Sequence, residues 1–501
     1  MTNTASIKLC KNDIVSPIDN RIYGSFIEHF GRAVYTGIFE PGHPTADDNS
    51  FRRDVIDLVK QLNIPVIRYP GGNFVSGYEW EDGVGPVEER RPRLDLAWSA
   101  LESNRFGLNE FYEWSRLVNA QMMLAVNLGT RGPRDAQNLV EYCNFPGGSY
   151  YSNLRKKHGY EKPHGIKLWC LGNEMDGPWQ ICTKTAEEYG RVACETAKLM
   201  KWVDPSIELV VCGSSGRGMP TFGVWEETVL SQTYEHVDYI SLHTYYGNEE
   251  NDTKTFLARG MEMDRFIKEV AKISEKVRIK KGLEKKVYLS FDEWNVWYHY
   301  RISGQNPPKW TEARPIEEEL YNVEDALLVG SMLITFINNA DTVKIACLAQ
   351  LVNTIAPIMT EKEGKAWTQT IFYPFMYTSL YGRGTALRQQ VDCPTYTCGV
   401  SGEIPMIDSA AVYNEQNHEV VLFMVNRSLD TDISTEISLE GFDIEGVVQH
   451  LAIDGYDLKQ TNGPDEQTVV PIEKHSASQS GEGISVNLSK ASWNMIRIKL
   501  K

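Results

Sequence analysis

The feature that most constrains this chain is an alternation, sustained from about residue 20 to residue 380, between short apolar runs and amphipathic stretches. Eight runs read as strands: Ile22–Ile27, Ile64–Tyr69, Met122–Leu128, Ile166–Leu171, Glu208–Cys212, Val237–His243, Lys286–Asp292 and Val343–Leu348. Most are nearly continuous in apolar residues, as strands covered on both faces must be. Between them, Ser50–Leu62 sets Val55, Ile56, Val59 and Leu62 at helical spacing, and Thr185–Val203 opens with Thr185 and Glu188 at the spacing of a capping box. Met261–Lys280 and Asn322–Asn339 are two further helical stretches. Strands alternating with helices predict a parallel sheet of βα units. Eight of them match the count of a closed (β/α)8 TIM barrel. A doubly wound open sheet is the alternative, but its Gly-rich dinucleotide turn is missing.

After Gly382 the helical period disappears and short alternating segments take over: Ile407–Tyr413, Glu419–Asn426, Ile433–Leu439, Ile484–Leu488 and Met495–Leu500. Asn414–His418 reads as a hairpin loop between the first two. These segments predict a C-terminal all-β sandwich or jelly roll, which the alternating N-terminal Ser6–Leu9 can join. The expected division is a catalytic barrel over residues 18–383 and a β domain over 384–501 together with 1–17. The length of 501 residues suits two such units.

The charge balance, 51 − 67 = −16, argues against nucleic acid and anionic membranes as partners and fits a neutral small-molecule substrate, although acidity also simply aids solubility. The nine cysteines are scattered without a CxxC pair and read as reduced, with Cys393 and Cys398 as the alternative bridging pair. The N-terminal MTNTASIKLCKND has no apolar core of a signal peptide, and no apolar run approaches the ~20 residues of a membrane span. The expected location is therefore cytoplasmic, with a substrate that is small or imported.

Polar groups stand at the carboxyl ends of most strand candidates. Strand one runs into Glu28, strand two into Arg68, Gly71, Gly72 and Asn73, and strand three into Asn127. Strand four ends at Asn173 and Glu174, six at His243 and Tyr245, seven at Glu293, eight at Gln350 and Asn353; Ser214 and Ser215 after strand five fit more weakly. An active site on the top face of a barrel needs this pattern. Cleavage of a glycosidic bond needs two carboxyl groups in opposite protonation states. Glu174 and Glu293, on strands four and seven, should face each other across the mouth although 293 − 174 = 119 residues separate them. Taken singly, each also reads as a surface glutamate at a loop start. His29, His243 and His299 show no HxH or HExxH spacing, so no metal site is expected. Gly213, Gly216 and Gly218 form GSSGRG, which lacks the Lys-Ser/Thr of a phosphate loop.

Six segments together are specific: GSFIEHFGRAVYTGI at 24–38, RYPGGNFVSGYEWEDGVGP at 68–86, WCLGNEMDGPWQ at 169–180, DYISLHTYYGN at 238–248, LSFDEWNVWY at 289–298 and LAQLVNTIAPI at 348–358. They resemble glycoside hydrolase family 51, in that family's order and over essentially the whole chain. The Asn-Glu pair of strand four with a Glu on strand seven also resembles the wider clan of barrel glycosidases. By this resemblance Glu174 is the general acid/base and Glu293 the nucleophile. Asn173 would hydrogen-bond the sugar 2-hydroxyl, and Tyr245 would donate to the nucleophile. Glu28, Asn73 and Gln350 would grip arabinofuranose hydroxyls, with Trp98, Trp179 and Trp297 as walls. Arg68 is placed to hold Glu293 ionised, a structural ion pair being the alternative. His243 would stand behind the carboxylates.

The implied activity is that of a retaining exo-acting α-L-arabinofuranosidase. It would release terminal non-reducing α-L-arabinofuranosyl groups from arabino-oligosaccharides and arabinoxylan or arabinan fragments, through a covalent arabinosyl-enzyme. The resemblance implies no cofactor, and a homo-oligomer, hexamers being frequent in the family. The rival readings are an endo-acting glucanase or xylanase on the same barrel and a catalytically silent carbohydrate-binding protein.

Overall fold

Eight parallel strands close into a barrel in the computed structural model, which describes residues 3–299, 307–480 and 483–501. Of the N-terminal segment read against a leader, the first two residues lie outside the described residues. The barrel strands are β1 (Gly24–Phe26), β2 (Val66–Tyr69), β3 (Gln121–Val126), β4 (Leu168–Leu171), β5 (Glu208–Val211), β6 (Tyr239–Tyr246), β7 (Tyr288–Val296) and β8 (Val343–Ala349). Each pairs in parallel with the next, and β8 returns to β1.

The nearly continuous apolar runs face two cores. Phe26, Val66, Met123, Ala125, Leu168, Cys170, Val210, Ile345 and Cys347 fill the barrel. Their neighbours along the strands, such as Met122, Leu124, Trp169, Leu209 and Ala346, pack outward against the helices. Both faces are buried, so the period-2 polar alternation of a half-exposed strand is absent.

The helix Val323–Asn338 is buried at every position from Val323 to Ile337. Such an all-round apolar helix must be covered on all sides. The barrel covers one side and the C-terminal sheet another: a Cβ on Gly330 would lie 2.4 Å from the Trp493 ring of that sheet. Asn322 caps it, accepting from Asp325 N while the Asp325 side chain accepts from Asn322 N. Among the described residues no helix is long and apolar enough to cross a membrane.

The second unit is a ten-stranded sheet whose order runs Ile472–Glu473, Ile444–Ile453, Ser492–Leu500, Glu419–Asn426, Ile407–Asn414, Thr385–Asp392, Thr4–Pro17, Ile433–Glu440, Gly483–Leu488, Ser478–Ser480. It folds over a core containing Ile7, Leu9, Leu422, Ile437, Val486 and Ile498. The N-terminal strand joins it, antiparallel to Thr385–Asp392 and parallel to Ile433–Glu440.

The strand readings need local correction. β1 is shorter than Ile22–Ile27 because Asn20–Tyr23 forms a 3-10 turn capped by the Asp19 side chain. β6 and β7 run past their expected ends, to Tyr246 and Val296. Thr385–Asp392 and Ile444–Ile453 carry no sustained alternation: the first is exposed over most of its second half, and register shifts interrupt the second.

Candidate active site

A cavity of about 780 Å³ opens at the carboxyl ends of the barrel strands. Its lining brings together Glu28, Asn73, Trp98, Glu174, Trp179, His243, Tyr245, Glu293, Trp297 and Gln350. Asn173 and Arg68 lie just behind that wall, both buried.

Glu174 follows β4 through Gly172 and itself adopts a left-handed backbone, φ 44°. Non-glycine residues adopt that conformation at a cost, and such strain gathers at functional sites. Its turn is closed by Gly177 N donating to Glu174 O at 2.8 Å. The carboxyl receives His243 Nδ1 on Oε1 at 2.9 Å and Trp179 Nε1 on Oε2 at 2.6 Å.

Glu293 owes its aim to a β-bulge. Ser290 and Glu293 of β7 oppose Ser241 and His243 of β6, and Phe291 and Trp294 oppose Ala346 and Leu348 of β8. Three steps on β7 therefore face two on each neighbour. One extra residue breaks the alternation, so Asp292 and Glu293 both turn into the barrel. Glu293 receives Arg68 Nη1 on Oε1 at 2.7 Å and the Tyr245 hydroxyl on Oε2 at 2.7 Å. Asp292 accepts from His243 Nε2 at 2.9 Å and lies 3.9 Å from Arg68 Nε. Sequence reading passed over Asp292, because strict alternation would send it outward.

Arg68 also donates to Asn173 Oδ1 at 2.6 Å, and Asn173 Nδ2 donates to Asn73 Oδ1 at 3.3 Å. The guanidinium sits 4.7 Å above the Phe26 ring. One buried cation thus joins the ends of β4 and β7, which set the two glutamates.

On the β8–β1–β2 side, Glu28 Oε1 accepts from Phe74 N at 2.9 Å and from Trp98 Nε1 at 2.8 Å. Gln350 Oε1 accepts from Glu28 N at 2.9 Å. Gly72 makes this possible: at φ 24°, a Cβ there would meet Glu28 Oε2 at 2.1 Å. Trp98 stacks on Phe30 at 3.6 Å, and Trp297 meets the Tyr245 ring edge-on at 5.0 Å.

One oxygen of Glu174, one of Glu293 and a ring nitrogen of His243 all lie within 4.8 Å of one another. Burial pushes the Glu174 carboxyl above the ordinary range and the Glu293 charge adds to this, while the His243 and Trp179 hydrogen bonds pull it back. For His243, burial opposes the charge, but Glu293, Asp292 and Glu174 outweigh it and raise the ring to about 10. Burial, followed by the Glu293 charge, lifts Glu28 to about 8.

These atoms could in principle ligate a cation. The Arg68 guanidinium already stands on Glu293 Oε1, and the facing His243 nitrogen is 2.9 Å from Glu174 Oε1.

Sequence reading also missed part of the cavity wall. Arg217 and Met219 after β5, Glu262 and Phe266 on the helix Arg259–Lys281, and Glu317 all line it. They lie in loops and helix faces whose approach to the mouth depends on the closed barrel, so no local pattern marks them.

A closed parallel barrel with two facing glutamates at its carboxyl-end mouth is the architecture of a barrel glycoside hydrolase. The Alpha-L-arabinofuranosidase 1 domain model matches residues 58–264, and the Alpha-L-arabinofuranosidase C-terminal domain model matches residues 292–492. The chain is 58% identical to the intracellular exo-α-(1→5)-L-arabinofuranosidase 1 of Bacillus subtilis (strain 168), over 97% of each sequence. It is 55% identical to the intracellular exo-α-(1→5)-L-arabinofuranosidase of Halalkalibacterium halodurans, over 100% of each. The solved structure of a family 51 α-L-arabinofuranosidase from Bifidobacterium longum matches with a TM-score of 0.95 at 41% identity, covering 99% of this chain and 100% of that one. The chain belongs to the α-L-arabinofuranosidases of glycoside hydrolase family 51.

Proposed function

We propose that this chain hydrolyses terminal non-reducing α-L-arabinofuranosyl groups from arabino-oligosaccharides and arabinoxylan or arabinan fragments, with retention at the anomeric carbon. The observation that carries the reading is the approach of Glu174 and Glu293, whose nearest oxygens fall within 4.8 Å. Retaining glycosidases hold their carboxyl groups about 5–5.5 Å apart, too close for an intervening water.

In the first step Glu293 attacks the anomeric carbon and forms a glycosyl ester. Arg68 and Tyr245 each occupy one Glu293 oxygen and fix its direction. Glu174, whose raised pKa favours its acid form, protonates the departing oxygen. In the second step Glu174 takes a proton from water, which attacks the same carbon and returns the carboxylate of Glu293. The cleaved sugar sits against Glu28, Asn73 and Gln350, on the opposite flank from the loop after β5. Asn173 reaches the 2-hydroxyl if its Asn73 contact opens on binding. A site whose buried polar groups await hydroxyls rejects sugars that leave them unpaired.

The barrel over residues 18–383 is the catalytic unit in this reading, and residues 384–501 with 1–17 form the β domain that covers its buried helix. The cysteine pattern and the relatives named intracellular support a cytoplasmic location. A homo-oligomer, with the hexamer as one form, is part of the same proposal.

The test is a panel of 4-nitrophenyl glycosides run beside α-(1→5)-arabino-oligosaccharides. The expected result is nitrophenol from the α-L-arabinofuranoside and free arabinose from the oligosaccharides. Internal cuts in xylan or glucan chains, or no turnover on any of these, overturn the proposal.

A further inference from the structure

We infer that Glu317 is a positioning residue for the nucleophile, acting through Trp297 and Tyr245. The inference rests on the reading of Glu293 as nucleophile and adds a residue that no motif in the sequence marks.

Glu317 lies on the cavity wall, between the end of β7 and the helix Val323–Asn338. Its Oε2 accepts the Trp297 indole N–H at 2.8 Å. The Trp297 ring stands edge-on to Tyr245, with centroids 5.0 Å apart at 77°. The Tyr245 hydroxyl donates to Glu293 Oε2 at 2.7 Å. The chain of contact is continuous from Glu317 to the attacking carboxylate. The backbone of Trp297 is fixed separately, its N–H donating to Tyr246 O at 3.0 Å. The Trp297 ring also stacks on His299, with centroids 3.8 Å apart, and the Glu317 carboxylate fixes the polar edge of the indole by accepting its N–H.

Glu317 is itself held firmly. Its backbone is left-handed, φ 54°, and its carbonyl accepts from Ile355 N at 2.8 Å. Ile355 O accepts in turn from Gln350 N at 3.0 Å and from Asn295 Nδ2 at 2.6 Å, and Asn295 is two residues beyond Glu293. A non-glycine residue stays in that conformation only where its surroundings fix it. Without the carboxylate, an indole N–H on the cavity wall loses its partner, and the ring that braces Tyr245 is held by stacking on His299 alone, which leaves it free to slide.

The experiment compares Glu317→Ala, Glu317→Gln, Trp297→Phe and the double variant Glu317→Ala/Trp297→Phe on 4-nitrophenyl α-L-arabinofuranoside, with kcat, KM and Tm for each. Glu317→Ala should lower kcat roughly tenfold or more with a much smaller change in KM, the size expected for one lost charge-assisted hydrogen bond. Glu317→Gln, whose amide oxygen still accepts the indole N–H, should restore kcat to within a few-fold of the parent. In the Trp297→Phe background, Glu317→Ala should have almost no further effect. Losses that multiply in the double variant, or a Glu317→Gln enzyme as impaired as Glu317→Ala, overturn the inference. If Glu317→Ala does not fold, Glu317→Leu takes its place in the same cycle: a kcat loss that vanishes in the Trp297→Phe background supports the inference, and parental kcat or a loss that persists there overturns it. A parent enzyme inactive on every arabinofuranoside would instead sink the functional reading, which keeps the two failures distinct.

Discussion

His243 stands between Asp292 and Glu174, 2.9 Å from each through opposite ring nitrogens. Raised to about 10, the ring is an imidazolium near neutrality and donates to both carboxyls. The cation offsets some of the repulsion between Glu174 and Glu293, and so limits how far the Glu174 carboxyl is lifted.

That shift has a sign for stability. His243 binds its proton more tightly folded than unfolded, so its contribution is fully present below its ordinary value and fades as pH rises toward about 10. Asp292→Asn removes one of the charges that raise it. The Tm gap between parent and Asp292→Asn should therefore be largest near pH 6 and shrink toward pH 10. Thermal melts across that range check this; a gap that stays constant or widens contradicts it.

Trp179 offers a cleaner handle on Glu174, the proposed acid/base. Its indole donates to Glu174 Oε2 at 2.6 Å, yet the side chain is 52% exposed. The bond favours the charged carboxylate, so Trp179→Phe should raise the Glu174 pKa and move the alkaline limb of kcat/KM to higher pH, by up to about one unit. Tm should barely change. A limb that stays put, or moves to lower pH, removes Trp179 from the control of that proton.

Much of this centre is legible in the sequence, and the reason is architectural. In a closed parallel barrel every strand delivers its last residues to the same end, so Glu28, Asn73, Glu174, Tyr245, Glu293 and Gln350 could be gathered by reading strand ends alone. What escaped depended on departures from regular geometry. The bulge that aims Asp292 into the barrel leaves no mark in SFDE. Glu317 belongs to no periodic element and meets Trp297 only after the chain has folded back. The β domain was legible where strands alternate, as in Ile433–Glu440, and not at Thr385–Asp392, where the outer half has no buried face.

Glu28 should reveal the cost of burying a carboxylate. Its burial, reinforced by the Glu293 charge, raises it to about 8, so ionisation strains the folded state. The unfolded chain ionises first as pH rises from about 4.5, and the penalty grows until pH passes about 8. Glu28→Gln keeps an oxygen for Phe74 N and Trp98 Nε1 but carries no charge. The variant should be more stable than the parent by a few kcal/mol at about pH 8.5 and gain little at about pH 4.5. Denaturant unfolding at both values tests the sign; a variant that is less stable at the higher pH contradicts it.

The two carboxyls should separate by step. Glu174→Ala removes the proton donor, but a nitrophenolate departs without protonation, so the first step on 4-nitrophenyl α-L-arabinofuranoside should survive. The second step has lost its base, and the arabinosyl-enzyme should accumulate as a burst of nitrophenol followed by a slow steady rate. With arabino-oligosaccharides, whose leaving groups need the proton, turnover should fall by about 10²–10⁴-fold. Glu293→Ala should show no burst on either substrate and lose ~10⁴-fold or more, because no ester can form. Rapid-mixing kinetics on both variants decide the assignment. A burst from Glu293→Ala, or equal losses of Glu174→Ala on the aryl and oligosaccharide substrates, would mean that the two glutamates do not divide the reaction as their approach to within 4.8 Å suggests.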